Sequence, residues 1–243
     1  MSLAKAHKAA CLAALAATKI ADQSAADNSG AAANSNTTII IPAASHPQDV
    51  LMAALKQDQD ALHSLTDVKK KIALKKEQLI PKWQPIIEHY RESGAQHPFE
   101  PLVWFAIWMV DAGQIEQGIT WADYAIAQHQ KMPERFKSAN LESVITRQVH
   151  DWALEQFKAG HSAEPYLTQV VERIESNQWL VSERALMGML FKLVALYAEK
   201  EKHDEKAESY FLKAVAANPE KHGVKGALHR VQKNLNKPLT EFK

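Results

Sequence analysis

Cysteine is all but missing from this sequence: Cys11 is the one example in 243 residues. A single thiol can form neither an intrachain disulfide nor a thiolate zinc cluster, so disulfide scaffolds and Cys-ligated zinc folds are excluded, and the usage fits a reducing cytosol. Glycine and proline are sparse, with 8 and 10 residues, too few turns for a β-sandwich or barrel. No run of 18 apolar residues occurs, so no membrane-spanning helix is expected. Neither sign of charge dominates: 29 basic against 28 acidic side chains give +1. Without a global field, any attraction to nucleic acid or membrane has to come from a local patch. Chemical motifs are missing as well. There is no Gly-rich phosphate loop, HExxH pair, nucleophile elbow or His/Cys nuclease motif, so no catalytic residue, metal ligand or cofactor is expected. His222 and His229 lie seven apart and could share a helix face, but they lack a third ligand, as do His203 and Asp204.

What is present favours helices. Ala, Leu, Lys, Glu and Gln outweigh the β-branched residues, which predicts an all-α chain. Residues 1–46 read as a flexible Ala/Ser/Asn-rich arm, with a weak amphipathic helix over 3–20 and an apolar triplet, Ile39, Ile40 and Ile41, suited to docking. Residues 47–80 read as one long basic helix, opened by Pro47 and closed at Pro81. Leu51, Leu55, Leu62, Leu65, Ile72 and Leu79 recur along it at spacings of 3, 4 and 7, the seam of a coiled coil, although Asp58, Lys69 and Lys76 interrupt that seam. Oligomerisation through Leu51, Leu55, Leu62, Leu65 and Ile72 is the expectation. Residues 81–236 read as helical hairpins, with helices over 85–93, 99–111, 115–130, 139–159, 163–176, 182–200, 203–217 and 224–235, and 237–243 as a tail. Two hairpins carry tetratricopeptide-like spacing: Gly113, Gly118, Ala122 and Ala125 in one, Ala207, Phe211, Ala214 and Pro219 in the other. The concentration of Trp83, Trp104, Phe105, Trp108, Trp121 and Tyr124 offers base-stacking surfaces, but Trp104 and Trp108 are four apart on one face, the spacing of a hairpin core.

One local charge signal stands out. Lys69, Lys70, Lys71, Lys75, Lys76 and Lys82 interleave with Ile72, Leu74 and Leu79, and residues 67–92 carry a net +3. Such a run is either a solvated helix face or a phosphate-contacting surface. Residues 221–243 carry +5 and are a second, weaker candidate. Lysine makes point contacts with phosphate, so these clusters alone imply affinity without sequence specificity.

The run Leu79-Ile80-Pro81-Lys82-Trp83-Gln84-Pro85 follows a lysine-rich helix. Downstream come Trp108-Met109-Val110-Asp111-Ala112-Gly113-Gln114, then Ala122-Asp123-Tyr124-Ala125 and Met132-Pro133. In order and spacing the sequence resembles the small terminase subunit of peduovirus-like tailed phages over residues 47–235. The resemblance implies a protein of the host cytoplasm that recognises the cos packaging site on double-stranded phage DNA, assembles as a homo-oligomer, and directs the large terminase subunit, an ATPase, to cut and package DNA. Family members are commonly labelled the endonuclease subunit of terminase. The pattern departs at Gln114, where an acidic residue is common, and in having no Lys/Arg/Pro-rich tail, which leaves Lys69–Lys82 and the N-terminal arm as the better DNA-binding candidates. Cleavage is expected of the complex rather than of this chain. The competing reading is a helical-repeat adaptor that binds protein and never touches DNA.

Overall fold

The computed structural model describes residues 47–136 and 139–242, and all regular structure among them is helical. The expectations placed on the arm, including Cys11 and the isoleucine triplet, lie outside the described residues. No helix among them is long and apolar enough to cross a membrane. They form two compact units that meet in sequence after Ala95.

In the first unit, helix α1 (Pro47–Ser64) opens with Asp49 in its first turn and carries His63 in its last, the polarity the helix dipole favours. Leu51, Ala54, Leu55, Asp58 and Leu62 are buried and share one stripe by their spacing. The single long helix expected over 47–80 is not what forms. Residues 65–67 leave the helix; Asp67 turns extended (φ −79°, ψ 122°) and its carboxylate accepts the Lys69 N–H at 2.8 Å, capping a new helix. The leucine periodicity runs on through this point, but a good N-cap stops and restarts the chain.

The new helix also passes the proline expected to end the first one. α2 (Val68–Leu74), a π-helical segment (Lys75–Leu79) and α3 (Ile80–Glu92) follow without interruption. In the π segment the Ile80 N–H reaches back five residues to the Lys75 carbonyl. Pro81 has no N–H to give, and in tight α geometry its ring would crowd the carbonyl of Glu77; a wider turn just before it relieves that crowding. α3 buries Ile80, Trp83, Ile86, Ile87 and Tyr90.

The second unit opens with a hairpin of α4 (Glu100–Asp111) and α5 (Ile115–Ala127). Every residue from Pro101 to Val110 is buried, which marks α4 as a central helix rather than a surface one. The hairpin turns at Gly113, at φ +80°, where the Gly113 and Gln114 N–H groups bond the carbonyls of Val110 and Met109 at 2.9 Å each. α6 (Leu141–Ala159) packs on both arms of this hairpin and on α8; α7 (Tyr166–Glu175) packs on α6 and α8. A second hairpin, α8 (Arg184–Lys200) and α9 (Asp204–Ala217), is followed by α10 (Lys225–Asn234) against α9. Ala122, Ala125, Ala207, Phe211 and Ala214 are fully buried, the close-packing places their spacing suggested.

Candidate nucleic-acid interface

Between Leu62 and Leu79 no residue is buried. Inside that stretch the Asp67 cap starts a helix whose first eleven residues carry Lys69, Lys70, Lys71, Lys75 and Lys76 against one acidic side chain, Glu77. Lys69, Lys70 and Lys76 are exposed; Lys71 and Lys75 are half-buried. The structure therefore brings these five together on one short helical length. A basic group near a helix N-terminus is disfavoured by the dipole, so three lysines directly after Asp67 add nothing to helix stability.

Lys82 has a different environment. Its ammonium donates to both carboxylate oxygens of Asp58, at 2.7 and 2.8 Å, and lies 5.6 Å from the centre of the Trp83 ring. The Trp83 indole N–H donates to the same carboxylate at 2.7 Å. Asp58 thus ties α1 to α3 through two donors, which explains a carboxylate in the apolar stripe: charge and lone pairs are matched inside the unit. The sequence marked Asp58 only as an interruption of the seam, and that interruption was the signal of its partner. Of the seam residues, Leu51, Leu55 and Leu62 are 6, 1 and 7% exposed, so they are covered within the chain. Leu65 is half-buried and Ile72 is 38% exposed. Val68, at 67%, is the most exposed large apolar residue described, and sequence reasoning did not single it out.

The second basic candidate folds back on itself. His222 stacks on Phe242 at 4.9 Å, His229 lies 5.6 Å from the same ring, and the Lys225 ammonium sits 5.6 Å from it. Lys237 pairs with Glu208, and Arg230 with Glu199. Gln232 donates to the Thr240 hydroxyl at 2.8 Å and accepts its N–H at 2.9 Å. The two histidines do share a place, around a phenylalanine. Among the described residues no set of three His, Cys, Asp or Glu side chains converges as metal ligands would.

The aromatic cluster is packing. Trp83, Phe105 and Trp108 are at most 1% exposed, Trp104 and Trp121 4 and 7%; Trp104 and Trp108 lie 5.9 Å apart, and Phe105 meets Trp121 edge-on at 5.7 Å. The recognisable motifs are structural too. Asp111 accepts from Gln148 at 2.6 Å, joining α4 to α6. Asp123 receives the Arg173 guanidinium at 2.7 to 3.1 Å and the Trp179 indole N–H at 2.8 Å, joining α5 to α7 and the segment after it.

The phage small terminase subunit family matches residues 52–183. A protein of Haemophilus phage HP1 (strain HP1c1), named "Probable terminase, endonuclease subunit", is 29% identical over 142 residues, covering 58% of this chain and 50% of that protein. The chain therefore aligns with half the length of that relative. No solved structure matches it.

Proposed function

The chain belongs to the phage small terminase subunit family, and from that membership we propose that it recognises the cos packaging site on double-stranded phage DNA and directs the large ATPase subunit to it. The observation that carries the reading is the capped helix over 68–78, where five lysines gather on a length that buries nothing. Exposed lysines held on a rigid helix neutralise phosphates at little conformational cost and release condensed counterions, the sequence-independent part of duplex affinity. Lys82, matched by Asp58, serves in this reading to anchor the helix rather than to meet phosphate. In the second cluster Arg230 and Lys237 are paired with Glu199 and Glu208 and Lys225 lies against Phe242, which favours the first cluster over the second.

Self-association belongs to the same proposal. Leu51, Leu55 and Leu62 are already covered within the chain, so a seam between copies has to draw on other residues. The relative's printed name assigns it an endonuclease role; in our reading the large subunit cuts while this chain positions the duplex and raises its local concentration.

Changing Lys69, Lys71 and Lys76 to Gln should weaken binding to duplexes of every sequence alike. The slope of log affinity against log salt should become shallower by up to about 0.9 for each lost phosphate contact. Fluorescence anisotropy at several salt concentrations reads both. Unaltered affinity and slope would move DNA contact away from this helix.

A further inference from the structure

We infer that the helix over 68–78 enters the major groove of duplex DNA, with Val68 and Ile72 facing base edges and lysines reaching the phosphates on both sides. The inference rests on the DNA reading above and adds a mode of contact and a source of sequence preference.

It comes from how the side chains are arranged around the helix. At about 100° per residue, Val68 and Ile72 form one apolar stripe. Lys69 falls on one flank of it and Lys71 on the other, each within roughly 80° of its centre. A helix lying across a phosphate surface needs its lysines on a single arc. A helix seated in a groove has a phosphate backbone on each side, and what points to the floor meets bases. The distribution found here is the second. Val68 is 67% and Ile72 38% exposed, and α2 buries no residue, so Val68 is left largely open and Ile72 partly so. An α-helix is about 10 to 12 Å across with its side chains, against a major groove about 12 Å wide. Eleven residues extend roughly 16 Å, long enough to span several base pairs. Apolar side chains at that position read the C5-methyl of thymine, which supplies the specificity that lysines lack. Lys70 points away from the stripe and is the internal control.

The test uses the full chain and a pool of randomised 30-base-pair duplexes, from which the preferred duplex is enriched by repeated binding at moderate salt. For Val68→Ser combined with Ile72→Ser, we expect unchanged affinity and salt slope on the starting pool, but a preference for the enriched duplex reduced by about tenfold, in line with one or two lost base contacts. Replacing thymine by uracil in the enriched duplex should weaken wild type by roughly fivefold and the double variant not at all. Lys70→Gln should lower pool affinity less than Lys69→Gln. The inference is overturned if wild type enriches no sequence, or if the double variant keeps the full preference and uracil has no effect, and in both cases the lysine dependence of the pool still stands for the broader DNA reading. If instead the lysine variants bind the pool as wild type does, the DNA reading fails at this helix. If the double variant lowers the mass measured by sedimentation while both affinities hold, the stripe joins two copies of the chain and the groove assignment is wrong.

Discussion

Asp123 shows how much a single half-exposed carboxylate can organise. It is the shared acceptor of Arg173 and Trp179, and the Trp179 ring is 1% exposed. Asp123→Ala would leave a buried indole N–H without its acceptor and the guanidinium with the Gln169 carbonyl in place of the carboxylate, costing about 1 to 3 kcal/mol; urea unfolding followed by circular dichroism would measure it. Asp123→Asn keeps one oxygen acceptor and should lose less. Tyr197 makes a prediction in pH. Its hydroxyl donates to the Ala153 carbonyl at 2.8 Å, and burial first, then Glu164 and Glu201, push its pKa up to about 12 from 10.0. The folded chain therefore holds the proton where the unfolded chain has released it. The associated stability is fully present below pH 10 and is lost as pH rises from 10 toward 12. Tyr197→Phe should be less stable than wild type at pH 8 but should lose less between pH 10 and 12, read from urea midpoints across that range.

At the scale of elements, the α4 and α5 hairpin depends on an approach that only glycine permits. A Cβ on Gly118 would lie 2.4 Å from Val110 Cγ2 and 3.0 Å from the Val110 nitrogen. Gly118→Ala should cost about 1 to 3 kcal/mol through overpacking. Adding Val110→Ala should restore part of it, because the clash with the side chain goes and the one with the backbone stays; a double-mutant cycle in urea separates the two. The sequence made this hairpin legible. Gly113 stood where the turn required a positive φ, Gly118 and the alanines fell at close-packing intervals, and the helices from α4 onward lie within the expected ranges, trimmed by up to three residues at an end. The first unit was harder to read. Leucine periodicity continues across residues 65–67 and hides the break, while Pro81 looks like a stop until a π turn makes room for it. Both outcomes hang on local backbone hydrogen bonds, one to Asp67 and one from Ile80, that apolar spacing does not encode. The site divides the same way: the lysine cluster was visible as charge, but the pairing of Lys82 with Asp58 and the exposure of Val68 follow from packing.

Taken whole, the molecule divides its tasks between two units. The unit over 47–95 carries the concentrated lysines, and the unit over 96–242 carries the central helix α4, the aromatic cluster apart from Trp83 and the Asp123 network. A core of that extent should stand alone. Expressed by itself, the fragment 96–243 should keep a helical circular dichroism spectrum and unfold cooperatively; a non-cooperative melt would show that it needs residues 47–95. The π segment at 75–79 has a bearing on how such proteins diverge. A π turn is an α-helix that has absorbed one extra residue, and this one sits between a basic length that buries nothing and a length, from Leu79 on, that packs. Losing that residue would rotate Val68–Leu74 by about 100° about the axis relative to α3, with residues 65–67, which lie outside the helices, taking up the difference so that α1 keeps its Asp58 anchor to Lys82 and Trp83. One codon, gained or lost, is thus a dial that re-aims the lysine ridge without rebuilding the core.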